Sequence, residues 1–524
     1  MHRPVILALA LFAFSMAQAA TGTQPNILWL IAEDFGQHLS CYGTKEVWTP
    51  NIDSLARQGV RYDRFFCTAP VCSASRSAFM TGMYQTTIGA QNHRSHRDDG
   101  YELPSGVRVL TDRLREAGYF TVNIREMPDP IKFKGTGKTD WNFTYKGKPF
   151  DSSRWDDLKS HQPFYAQLNF QETHRTFRAP KRADPANVEL PPYYPDHEVT
   201  RKDWAEYLDS ATELDRKIGV VLKRLDADGL ADNTVVVFFG DNGQAHVRGK
   251  QFCYDDGLLV PLMIRWPKSV TAPKNFRPGT INTQLIESID LAPTMLEIAN
   301  GFRTGQHSGA TALLDGPKTL ANPSGIYPGM ASEKEAGYGT RQNSWGTQGT
   351  SFLGDNAGAP KQYVFGARDR CDETVFRFRT VRDVRYRYIR NFTPDRPFLQ
   401  PNEYKEKQYP VWNLIKDLER ENKLTSTQAA LAAPTMPEEE LYDLQTDPHE
   451  IKNLARSPQH ADVLKRLRSV LEKWIADTDD KGRVLESADL VANKGLLRTN
   501  ANFSTSNKED GKPPGEVNAR PPKQ

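Results

Sequence analysis

Two short apolar runs constrain the fold of this chain most, because each stops abruptly at acidic or amide side chains. The first, in PNILWLIAEDFG, extends from Ile27 to Ala32 and ends at Glu33, Asp34 and Gly36. The second, in ADNTVVVFFGDNG, closes on Asp241 and Asn242. A short buried run bounded by turn formers reads as a strand of a parallel sheet, covered on both faces. Amphipathic segments alternate with such runs. TPNIDSLARQGVRYDRFF is a helix from Pro50, stopped near Gly59, and then a strand; VLTDRLREAGYFTVNI repeats that order. PFYAQLNFQETH is a strand with a polar end, and YLDSATELDRKIGVVLKRLDADGL is a long amphipathic helix. The alternation predicts an α/β fold with a mainly parallel sheet flanked by helices.

The chain has 524 residues, 38% of them hydrophobic, enough for two or three domains and a substantial core. From about Arg303 to Pro360, Gly, Ser, Thr, Gln and Ala dominate, which predicts long loops at a domain junction. Strand signals resume in YVFGAR, FRFRTVRDVRYRYIRNF and EELYDLQTDPHEIKNL, and a helix follows in ADVLKRLRSVLEKWIADT. The expected organisation is a larger domain over residues 24–360 and a smaller C-terminal α+β domain over 361–490, built of an antiparallel sheet and a helix. The polar stretch 491–524 is expected to be a disordered tail.

The N-terminus, MHRPVILALALFAFSMAQAA, has the parts of a signal peptide: a polar start, an apolar run from Pro4 to Phe14, and Ala17-Gln18-Ala19 as a cleavage pattern. Removal of residues 1–19 would leave an exported protein, periplasmic or secreted. The apolar run is short for a bilayer span and no later segment qualifies, so no stable membrane anchor is expected. A net charge of +3 gives no global field for nucleic acid, and nucleic acid is not an expected partner.

In an open parallel sheet, ligands bind outside the carboxyl ends of the strands. Glu33, Asp34, Asp241 and Asn242 would therefore share one edge. Crowded carboxylates repel unless a cation lies between them, and oxygen-only ligands suit calcium or magnesium. Each motif alone is also ordinary turn chemistry; the pairing of two, both closing apolar strands, points to a metal.

Five cysteines, Cys41, Cys67, Cys72, Cys253 and Cys371, leave at least one outside any intramolecular disulfide. Their spacings do not fit a zinc cluster. In APVCSASRSAFMTG, Cys72 and Arg76 are four apart and share a face if the segment is helical. Ser73 and Ser75 suit a first helical turn, and Gly82 suits a stop. A helix N-terminus and an arginine fork together favour a tetrahedral oxyanion beside position 72. Cys72 reads either as a nucleophilic thiolate or as a buried or disulfide-bonded cysteine.

Cys72-Ser73-Ala74-Ser75-Arg76 resembles the signature of the formylglycine-dependent sulfatases, a family of the alkaline-phosphatase-like superfamily; Ala74 takes a position more often held by proline. SAFMTGMY continues the pattern, and PNILWLIAEDFG, TPNIDSLARQGVRYDRFF, FFGDNG, RGKQFCYDDGLLVPLMIRWP and ELYDLQTDPHEIKNL match in order, over most of residues 24–475. The likeness extends to the N-sulfoglucosamine sulfohydrolase branch. It implies that a formylglycine-generating enzyme oxidises Cys72 to an aldehyde. Cys72 would then need no disulfide partner, and pairing among the other four cysteines stays open. It also implies a calcium ion, with magnesium as the alternative, held by Glu33, Asp34, Asp241, Asn242 and an oxygen of modified Cys72. Glu33 departs from the family's usual aspartate. One hydroxyl of the hydrated aldehyde would attack sulfur, and the second would expel sulfate by collapse to the aldehyde.

Arg76, Lys138 and Lys250 correspond to the family's fixed cations, and His174 to a histidine that contacts sulfate and protonates the leaving group. Lys138 is normally followed, two residues on, by a histidine; here that residue is Asp140. Two further clusters are candidate substrate contacts: His93 and Arg94, with His96 and Arg97, in QNHRSHRDDG, and Arg370 and Asp372, with Glu373, in ARDRCDET. The expected partner is a sulfated saccharide, such as a glycosaminoglycan, with N-sulfoglucosamine as one candidate. Two alternatives stand: a phosphate or phosphonate ester hydrolase, and a sulfated-glycan binding protein whose Cys72 is never oxidised.

Overall fold

The computed structural model describes residues 24–96, 99–301, 345–487 and Val491. The proposed signal peptide, Arg97, most of the Gly/Ser-rich stretch and nearly all of the proposed tail lie outside the described residues. Among those described, a mixed sheet contains β1 (Asn26–Ala32), β2 (Val60–Phe66), β3 (Phe120–Glu126), β4 (Ser152–Arg154), β5 (Phe164–Phe170), β6 (Thr234–Gly240), β7 (Leu259–Arg265), β8 (Thr280–Asn282) and β9 (Ile286–Glu287). The strand order is β4-β3-β5-β1-β6-β7-β2-β8, with β9 paired to β2. The run from β4 to β6 is parallel, whereas β7 lies antiparallel to both β6 and β2.

Strand β1 sits between β5 and β6, with Ala32 opposite both Phe170 and Gly240. All three strands are fully buried, which is why they read as mainly apolar runs, broken in β5 by Gln167 and Asn169. Register then brings their C-terminal ends to one edge. The Glu33 N–H donates to the Phe170 carbonyl and the Asp241 N–H to the Ala32 carbonyl, each at 3.0 Å. At the centre of the core, Trp29 meets Tyr165, Phe239 and Phe79 edge-on, joining the sheet to the Cys72–Thr81 helix.

The second sheet is antiparallel, in the order β10 (Val364–Arg368), β11 (Phe378–Arg382), β12 (Tyr386–Asn391) and β13 (Glu439–Asp443). FRFRTVRDVRYRYIRNF forms a hairpin, turning where Asp383 accepts the N–H groups of Arg385 and Tyr386. The Ala461–Asp477 helix packs on it, with Trp474 stacked on Phe365. Three helices between β12 and β13, Glu403–Gln408, Pro410–Arg420 and Ser426–Ala432, lie where sequence reading placed none. No helix among the described residues is long and apolar enough to cross a membrane.

Candidate active site

Cys72 is the first residue of its helix, after the extended Val71, and all ten residues of that helix are buried. Its serines tie the helix to its surroundings. The Ser75 hydroxyl donates to the Asp241 carbonyl at 2.6 Å, and the Ser77 hydroxyl accepts the Asn142 N–H at 2.8 Å. The Ser73 hydroxyl lies 2.9 Å from His93 Nδ1 and accepts the Arg94 N–H at 3.0 Å. Gly82 ends the helix at φ +67°, its N–H on the Ala78 carbonyl.

The nine proposed metal-binding and catalytic residues converge at the strand edge. Lys138 Nζ lies 2.8 Å from Glu33 Oε2, and Lys250 Nζ lies 2.7 Å from Asp34 Oδ2. Arg76 donates through Nε to Asp241 Oδ2 at 2.9 Å and through Nη1 to Asn169 Oδ1 at 2.7 Å. Asn242 Nδ2 donates to Asp34 Oδ1 at 3.0 Å, and Cys72 Sγ lies 3.5 Å from that same oxygen. His174 Nε2 is 3.6 Å from Asp34 Oδ2. Three carboxylates and three cations therefore meet in pairs, each almost wholly out of water.

Burial alone would raise the carboxyls of Glu33 and Asp34. Lys138 beside the first and Lys250 beside the second outweigh it and hold both below the usual range. Asp241 goes the other way, raised by burial in spite of Arg76. The Cys72 thiol is pushed up to about 12 by burial, against the pull of Lys138 and Lys250. Burial thus favours the protonated form of the unmodified thiol. Burial also pulls His174 down to about 4, despite Asp34. Its Nδ1 faces the Arg175 carbonyl at 2.6 Å. The ring is neutral at pH 7, with its proton on Nδ1, and Nε2 must gain a proton before it can give one.

The oxygen set fits a hard cation. Asn242 Oδ1 is buried without a hydrogen-bond partner, an acceptor beside carboxylates and turned to no donor. With Glu33, Asp34 and Asp241 it makes four oxygen-bearing side chains of the kind that can hold calcium or magnesium.

A narrow cavity above this cluster is lined by Cys72, His93, Arg94, His174, Lys250, Gln251, Cys371, Asp372 and Tyr404. His93, Arg94 and Asp372 thus line the same cavity as Cys72. Arg370 does not. Only 3% exposed, it spends its guanidinium on Glu486, the His93 and Asp372 carbonyls and the Ser95 hydroxyl. It is a strut between two loops. Gln251, Cys371 and Tyr404 were not anticipated. Tyr404 comes from a helix that escaped notice, and Asn169 was legible only as a polar residue inside an apolar strand. Cys41, Cys67, Cys72 and Cys253 are in no disulfide. His174 also lines a second, more open cavity of about 390 Å³, with Glu172, Arg175, Arg178, Glu213 and Lys217 among its walls.

Comparison with known proteins identifies the family. The family model described as Sulfatase matches residues 25–302. An ulvan-active sulfatase of Formosa agariphila is 31% identical over 516 residues, covering 88% of this chain and 77% of the relative. The human N-sulphoglucosamine sulphohydrolase is 25% identical over 500 residues, covering 87% and 90%. Among solved structures, a 2-O GAG sulfatase superposes with a TM-score of 0.55 at 19% identity, covering 89% of this chain and 96% of its own. More than half of the chain matches the family model, and the chain belongs to the sulfatase family, as a sulfuric ester hydrolase of alkaline-phosphatase-like fold.

Proposed function

We propose that this protein is an exported sulfatase that removes sulfate from sulfated carbohydrates, using Cys72 converted to formylglycine and a calcium ion held by Glu33, Asp34, Asp241 and Asn242. The observation that carries the reading is Cys72 itself. It is buried at the start of its helix, 3.5 Å from Asp34, in a ring of paired lysines, arginine and carboxylates. The hydrated aldehyde supplies an oxygen nucleophile for sulfur, and the cation supplies positive charge to the sulfate oxygens.

The chain's own residues do the rest. Arg76, Lys138 and Lys250 are cations fixed before substrate arrives, so they need no reorganisation to meet charge on the sulfate oxygens. Asn169 and Asp241 fix the plane of the Arg76 guanidinium. His174 Nε2 takes up a proton from water and gives it to the departing oxygen or nitrogen. Its place between the two cavities puts the leaving group toward the larger one. That cavity, at about 390 Å³, falls within the usual range of about 300–1,000 Å³ for small-molecule pockets. Its polar and charged walls suit a saccharide. N-sulfoglucosamine and the sulfated units of ulvan are candidates, on the names of the two relatives.

Sulfate release from a panel of defined sulfated saccharides tests the reading, with an aryl phosphate and a phosphonate ester run alongside. Release from at least one sugar sulfate, with phosphorus esters slower, is expected. Faster turnover of the phosphorus esters would assign the site to the alternative reaction. Mass spectrometry of the peptide around Cys72 should show aldehyde; an unmodified thiol in protein that binds glycan without releasing sulfate would make this a binding protein.

A further inference from the structure

Arg76, Lys138 and Lys250 are each matched by a carboxylate of the proposed metal set. A fourth cation, Arg94, lines the same narrow cavity as Cys72 but is held by a carboxylate outside that set. Asp140 accepts from Arg94 Nε and Nη2, each at 2.8 Å, in a two-pronged fork. The pair is built in from both sides. Ser73, next to Cys72, accepts the Arg94 N–H. Asn142, two residues past Asp140, accepts the His96 N–H and donates to the Ala90 and Asn92 carbonyls, so it grips the Arg94 loop on both flanks. Arg94 and Asp140 both hold left-handed backbone, at φ +58° and +51°, an uncommon conformation for residues other than glycine.

A buried arginine–carboxylate pair adds little net stability, because desolvation offsets the attraction. What it does supply is a guanidinium of fixed position and plane. Beside a nucleophile that attacks a sulfate ester, a fixed planar donor is suited to a tetrahedral oxyanion. We infer that Arg94 is a catalytic residue that contacts the sulfate group, with Asp140 as its positioning residue, and that this pair replaces the donor lost where the family resemblance expects a histidine at position 140. The inference rests on the sulfatase reading above.

Inorganic sulfate is the probe, titrated calorimetrically into the calcium-loaded full chain, with turnover of an aryl sulfate measured in parallel. Arg94→Ala should weaken sulfate binding by roughly 30-fold or more and lower kcat/KM by about 10²–10³. Asp140→Asn keeps the guanidinium but loosens its orientation, so it should lower kcat by about tenfold with KM nearly unchanged. A strut that merely holds a loop would lower the melting temperature and leave sulfate affinity within threefold of wild type; that result overturns the assignment. Should Arg94→Ala not fold, Arg94→Lys decides, since it keeps the charge without the fork: a tenfold weaker sulfate affinity supports the inference, and wild-type affinity ends it. A wild-type protein that turns over no sulfate ester would instead sink the sulfatase reading. Turnover by wild type that Arg94→Ala matches would sink only the role of Arg94.

Discussion

Asn242 places one neutral oxygen among three carboxylates, and in a cluster this deeply buried that neutrality matters. Its Oδ1 lacks a hydrogen-bond partner, while its Nδ2 bonds Asp34 and the Gly243 carbonyl. Asn242→Asp keeps an oxygen in place but adds a fourth negative charge facing three cations, and removes the donor to Asp34. Without metal, the variant should melt well below the wild type. Calcium should then raise its melting temperature by more than it raises that of the wild type, because ligand charge strengthens the hold on a hard cation. Equal calcium responses in the two proteins would show that this edge is not the metal site. Cys72→Ser is the complementary change. Serine is nearly isosteric, so the fold and the calcium response should persist while turnover falls by at least about 10³. At this scale the sequence was informative where spacing carried meaning. Cys72 and Arg76 share a helical face, and the acidic residues close apolar strands. Arg370 shows the reverse: nothing in its residue type separates an arginine that meets substrate from one buried as a strut against Glu486.

The Cys72–Thr81 helix is the element that most determines the site, since its first residue and its serines hold four separate segments together. Its far end rests on Gly82, where the backbone is left-handed and an added Cβ would lie 2.7 Å from Thr347 Cγ2. Gly82→Ala should therefore destabilise the protein by about 1–2 kcal/mol, from the left-handed conformation alone, with more if Thr347 cannot shift. Denaturant unfolding would measure this, while turnover per folded molecule should change less than threefold, because Cys72 lies at the opposite end. A loss of turnover without loss of stability would mean that the helix moves as a lever. This helix and its stop were legible because glycine marks a left-handed end. The Glu403–Gln408 and Pro410–Arg420 helices were not, although Asn402 caps the first and Pro410 opens the second. Each is short, and in the second only Val411, Trp412 and Ile415 are buried, with Leu414 and Leu418 half-exposed. Tertiary contact completes them: Lys405, from the first, is buried against Phe252, Tyr409 and Trp412. The antiparallel placement of β7 was equally hidden, because a strand buried on both faces reads the same in either direction.

At the scale of the whole molecule, buried charge joins parts of the chain that sequence reading treated as separate. Arg387 of the second sheet reaches Asp255, just before β7, and Glu450. Farther out, Arg379 sits between Asp480 and Asp369, fixing the segment after the last long helix to the second sheet. Two carboxylates share that guanidinium, with Arg377 reaching only Asp480, at 3.4 Å. Burial raises Asp369 to about 6, against the pull of Arg379 and with the push of Asp480, while Arg379 holds Asp480 below the usual range against burial. The sign follows from linkage. Asp369 binds its proton more tightly folded than unfolded, so its contribution is favourable below the ordinary carboxyl pKa and is lost as pH rises through about 6. Asp369→Asn imitates the protonated form. It keeps Oδ1 for Arg379 and removes charge from Oδ2, which has no hydrogen-bond partner. The variant should therefore melt higher than wild type at pH 8, by an amount on the order of 2 kcal/mol, and the difference should shrink toward zero near pH 4. A lower melting temperature for the variant at pH 8 would mean that the second carboxylate is held as an ion by Arg379, and that the segment after the last long helix is tied to the second sheet by a charged triad instead of a proton.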